Sequence, residues 1–216
     1  MFLLKWIITG ITDNRIHKRI VSMYISFFLT YYISMIISYF LLPEGIFRGK
    51  HPIISRINFS SNPLILALQI FGYNLIPSLL IIAANLISQQ SRVIKEKFVP
   101  IGYTAFWGLA ILFGIITGTW SFNVVAAAPP LISRLFRLFD IAHHSGLLEF
   151  SGYLLLAVTS FRITLWYSDR KKIIRSRSWS EVNLTTIEKV IIVLGFALLF
   201  IAAIVESQAI LQITNS

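Results

Sequence analysis

Five stretches of this chain are too long and too apolar for a water-soluble fold to cover. A helix needs about 20 mostly apolar residues to cross the hydrocarbon of a bilayer, and the segments 20–42, 63–88, 98–128, 141–167 and 187–213 each supply them. Composition points the same way. Of 216 residues, 56% are hydrophobic and 13% charged, with a mean hydropathy of +0.76, whereas soluble domains carry about 25% charged residues. The expectation is an all-α polytopic bundle of five transmembrane helices, forming a single membrane domain. A segment at 1–19 precedes it, in which Phe2, Leu3, Trp6 and Ile7 come before a basic run, as in a helix lying in the interface. That order is the reverse of a signal peptide, so none is expected.

Charge predicts the orientation. Nineteen Lys and Arg face nine Asp and Glu, a net charge of +10. No basic run is interleaved with aromatic stacking residues, so nucleic acid is set aside as a partner. In a membrane chain, basic residues collect on the cytoplasmic side. The N-terminal segment and the second and fourth connections carry thirteen of them, including Arg92, Lys95, Lys97, Arg170, Lys171, Lys172, Arg175 and Arg177. The opposite side has five: Arg48, Lys50, Arg56, Arg134 and Arg137. This predicts N-terminus inside and C-terminus outside. Arg134 and Arg137 fall in 131–139, which reads as a short amphipathic anchor on the outer face, and Arg162 near the inner end of the fourth span is expected to snorkel to headgroups.

An ionisable group in hydrocarbon needs a reason, because insertion there costs at least about 2.5–3.5 kcal/mol. Helical rise puts Glu149 about 12 Å and Glu206 about 10 Å below the outer ends of their spans. With His143, His144 and Asn123 nearby in the topology, this predicts a polar cluster in the outer half, facing the bundle interior. Four uses are open. Metal binding asks for ligands three or four residues apart, whereas Glu149 is five from His144 and six from His143, so no metal is assigned. Ser145 acting as a nucleophile with a neighbouring His lacks both geometry and a Gly-x-Ser-x-Gly elbow. The remaining two are hydrogen-bonded packing between helices and contact with a cationic peptide or another subunit. Asn74 and Pro77 predict a polar contact or kink near mid-membrane. Gly114-x-x-x-Gly118 predicts close packing in the bundle centre or a homo-oligomer contact. The chain has no Cys, which excludes disulfides and thiolate chemistry. It also has no Gly-x-x-x-x-Gly-Lys-Ser/Thr loop, so no cofactor is expected and ATP enters only through a partner.

Phe71-Gly-Tyr-Asn74, Gly146-Leu-Leu-Glu149 and Ile204-Val-Glu206 carry a resemblance to the stage II sporulation protein M (SpoIIM) family of integral membrane proteins, over residues 63–208. Family members show an Asn after an apolar run, a Pro-His-Gly-x-x-Glu stretch and one Glu in the last helix. Here Ser145 stands where the family has His, with His144 one place earlier, and the Pro is absent. The resemblance implies a multi-pass protein of a bacterial cytoplasmic membrane in one of two contexts. One is a septal peptidoglycan-remodelling complex. The other is a circular-bacteriocin cluster, where such proteins sit beside an ATP-binding-cassette ATPase in peptide export, maturation and immunity. With no large extracytoplasmic segment in view, the second is the expectation, with the inner loops 89–97 and 168–188 docking the ATPase. A scaffold subunit and an intramembrane peptide-processing enzyme are the alternatives.

Overall fold

The computed structural model describes residues 2–48, 60–122, 128–136, 145–169 and 172–214. In chain order the elements are α1 (Phe2–Ile11), α2 (Ile16–Leu41), α3 (Pro63–Ala84), β1 (Ile87–Gln90), β2 (Phe98–Pro100), α4 (Ile101–Gly118), α5 (Leu131–Phe136), α6 (Gly146–Thr159), β3 (Trp166–Ser168), β4 (Ile173–Arg175) and α7 (Thr186–Thr214). A 3₁₀ turn at Ser160–Ile163 extends α6, and another at Trp179–Glu181 precedes α7. Five helices are long and apolar enough to cross a membrane: α2, α3, α4, α6 with its 3₁₀ extension, and α7. The molecule is an all-α membrane bundle.

Its faces are sorted as a bilayer requires. On α2, Ser22, Ser26 and Ser38 are buried with Met23, Phe27, Tyr31 and Met35, while Val21, Ile33, Ile37, Phe40 and Leu41 are exposed. Lipid tails solvate Ile and Leu as well as a protein core does, so small and hydroxyl-bearing residues take the helix contacts. Gly114 and Gly118 show this on α4. A Cβ at Gly114 would meet Tyr31 O at 2.5 Å, and one at Gly118 would meet Met35 O at 2.3 Å. Their bare backbones therefore lie directly on α2, inside the bundle. Gly152 and Gly195 bring α6 and α7 together in the same way. Phe150 fills the centre, 4.9 Å from the Phe27 ring and 4.8 Å from that of Phe113.

The second, third and fourth spans are shorter than the apolar stretches suggest, and part of the difference goes into a small sheet. The expected helix 63–88 starts as predicted at Pro63, where Asn62 accepts hydrogen bonds from the Leu64 and Ile65 N–H groups, but it ends at Ala84. Residues 98–100 form a strand ahead of α4, and α4 ends at Gly118 instead of 128. Of the expected span 141–167, residues 141–144 lie outside the described residues, α6 covers Gly146–Thr159, and Trp166 and Tyr167 are in β3. Thr, Trp and Tyr favour extended backbone, and Pro100 restricts the residue before it to the same region. The four strands run in the order β2-β1-β3-β4, with β1 and β3 parallel and the other pairs antiparallel. The two connections thus share one folded platform beside the N-terminal end of α2, called here the sheet end. The α1 helix lies at the same end, burying Ile7, Ile8 and Ile11 and exposing Phe2, Leu3, Leu4 and Trp6.

Candidate functional site

Near the far end of the bundle, Glu149 lies in the first turn of α6, where the helix dipole favours a negative charge. It is buried, and Tyr153 one turn on donates its hydroxyl to Oε1 at 2.6 Å. Glu149 is about 4–5 Å along α6 from Gly146. Glu206 reaches the same region from α7, half-buried and close enough for the two carboxyl groups to interact electrostatically. Gly152 meets Leu199 across the seam, which sets Glu149 about one turn nearer the sheet end than Glu206. Asn123, His143 and His144, the other predicted members, lie outside the described residues. Asn74 is buried in the middle of α3. Its carbonyl accepts from Ser78 Oγ at 2.7 Å, and its side-chain nitrogen has no hydrogen-bond partner among the described residues.

The predicted basic residues divide by burial. Arg92, Lys95, Lys172 and Arg175 are exposed, whereas Lys97 and Arg177 are half-buried. Arg170 and Lys171 lie outside the described residues. Arg177 donates from Nε to Thr164 O at 2.6 Å and from Nη2 to the Arg162 carbonyl.

Two ionic clusters were not foreseen. At the sheet end, Arg19 is fully buried. It pairs with Glu188 at 2.6 Å and donates to the carbonyls of Val158, Asp13 and Asn14. Arg162 joins from the other side, 2.9 Å from the same carboxylate oxygen. The expectation that Arg162 snorkels to headgroups is therefore corrected: an acid within reach holds it. Glu188 is fixed by a reciprocal cap, accepting from Thr185 N and Oγ1 while its own N–H donates to Thr185 Oγ1. Thr185-x-x-Glu188 is the sequence signal for that cap. Beside this cluster, the Arg15 backbone N–H donates to Asp13 at 2.9 Å. With the Arg15 and Lys18 side chains also near, it holds the Asp13 carboxyl down at about 2.

At the far end Arg134, expected on the surface of an amphipathic anchor, is buried instead. It donates to the carbonyls of Pro129 and Gly118, pairs with Glu44 and stacks over Tyr39. Gly118 ends α4, and a helix C-terminus presents carbonyls that a cation satisfies. Arg137 lies outside the described residues. Among the described residues no three His, Asp or Glu side chains converge as a metal site would need. No protein-family model matches the chain, and it matches no curated protein and no solved structure.

Proposed function

We propose that the chain is a membrane subunit working with an ATP-binding-cassette-type ATPase in export, maturation or immunity of a small cationic, circular bacteriocin-like peptide. The sheet end would face the cytoplasm of a bacterial cell. One observation supports this reading: the two basic connections fold into a single platform whose edge strand, β4, pairs on one side only among the described residues. On β4, Ile173 and Ile174 are 65% and 56% exposed, and Trp179 beyond it is 58% exposed, with Lys172 and Arg175 alongside. An apolar strip with an unpaired backbone edge and a basic margin is a surface for a protein partner. The resemblance to stage II sporulation protein M proteins supplies the ATPase and the peptide. At the far end, the Glu149 and Glu206 carboxyl groups would be the contacts for a cationic peptide.

The test is a mild-detergent purification of the tagged protein from its host, with mass spectrometry of what accompanies it. An ATPase should co-purify with the unaltered chain and be lost from Ile174→Asp at equal protein yield. Recovery of extracytoplasmic wall hydrolases without an ATPase would overturn the reading in favour of a scaffold of peptidoglycan remodelling.

A further inference from the structure

At the sheet end, the α1–α2 turn, the 3₁₀ turn after α6 and the sheet enclose a cavity of about 350 Å³. That is within the roughly 300–1,000 Å³ of small-molecule sites. Its wall brings together Lys97, Arg162 and Arg177 against one carboxylate at the surface, Glu96. Each of the three cations keeps a free donor. Arg162 commits Nε to Glu188 and Nη2 to Asn14 O, and Arg177 commits Nε and Nη2 to carbonyls. This leaves both Nη1 groups and Lys97 Nζ unengaged among the described residues.

The charges are also unbalanced. Glu188 answers Arg19 and Arg162 together, while Arg177 is held by neutral carbonyls and Lys97 by nothing. Half-buried cations without a counter-charge are unfavourable until an anion arrives. Two guanidinium Nη1 groups and an ammonium can each donate a charge-assisted hydrogen bond to a phosphate oxygen. The back wall of the recess is the β1–β3 pairing, with the Ser88 and Thr164 hydroxyls 2.9 Å apart. Phe98 and Tyr167, with rings 4.7 Å apart, give it an aromatic flank.

We infer that this cavity binds a phosphate-bearing anion, supplied either by the headgroup of an anionic lipid or by a soluble phosphate compound. The site rests on the cavity and its unpaired donors, and stands whether or not an ATPase docks on β4. Glu96 weakens it by repulsion.

The full chain in detergent would be titrated with phosphatidylglycerol and with phosphatidylcholine, followed by native mass spectrometry, and with inorganic pyrophosphate by calorimetry. One saturable equivalent is expected, of phosphatidylglycerol over phosphatidylcholine, of pyrophosphate, or of both. The first identifies a lipid source, the second a soluble one, and both together the shared phosphate chemistry. Lys97→Gln, at a side chain with no hydrogen bond or ion pair among the described residues, should weaken binding about tenfold, the loss of one charge-assisted bond, and Glu96→Gln should strengthen it. Lys95→Gln and Arg175→Gln remove the same charge from exposed positions and should change binding less than about twofold. Equal weakening by those two controls, or no saturable binding of any probe, overturns the site.

Discussion

The buried charges decide how this bundle closes, and Glu188 is the one on which most depends. Two arginines meet on its Oε1, and a third contact runs back to Thr185. Through it the start of α7, the end of α6 and the α1–α2 turn are tied at one point. Removing one partner of a buried pair leaves an uncompensated charge, a loss of about 3–5 kcal/mol, whereas replacing both with apolar groups of similar size is often near neutral. Glu188→Leu should therefore strongly lower the unfolding temperature in detergent. Arg19→Met combined with Glu188→Leu should recover most of the loss, even with Arg162 left in place. If the double variant is as unstable as the single one, the ion pair is not what holds these elements together.

Among the elements, the α2–α4 seam has the tightest tolerance. Gly118 lies against Met35 O so closely that any Cβ must displace backbone, and overpacking of that kind costs about 1–3 kcal/mol. Gly108, on the same helix, has open space at its Cβ position, and replacing a mid-helix Gly with Ala gains roughly 0.5–1 kcal/mol. Gly118→Ala should thus lower the melting temperature and Gly108→Ala leave it equal or higher, as read by size-exclusion chromatography after heating. These packing glycines were legible in the sequence because their spacing alone carries the signal, as were the five spans and the start of α3 at Pro63. The sheet was not. Its central pair joins Ile87–Gln90 to Trp166–Ser168 in parallel, a pairing between connections some 80 residues apart that no local pattern reveals. Apolar runs also do not say where helix gives way to strand, so Phe98 and Tyr167 read as span. Of the candidate site, the inward burial of Glu149 followed from the cost of a lipid-facing carboxylate. The burial of Arg134 did not, because its partners, the Gly118 and Pro129 carbonyls and Glu44, are set by tertiary folding.

For the molecule as a whole, direction is the property on which the functional reading turns. The spans alternate, so α2, α4 and α7 leave the sheet end while α3 and α6 return to it, and α3 starts at the far end. The positive-inside rule predicts that the basic residues of the sheet, with Lys95 and Lys172 exposed, face the cytoplasm. The proposed ATPase would reach the β4 edge only from that side. Since the chain has no Cys, single substitutions give a clean probe. Ser61 is exposed beside the start of α3, while Lys95 is exposed in the β1–β2 connection. In intact cells a membrane-impermeant maleimide should label Ser61→Cys and leave Lys95→Cys unmodified until the membrane is broken. The opposite pattern would put the platform outside, where no ATP is available. The surface of β4 would then have to be read as a contact for extracytoplasmic partners, and the carboxylates of α6 and α7 would face the cytoplasm instead of an arriving peptide.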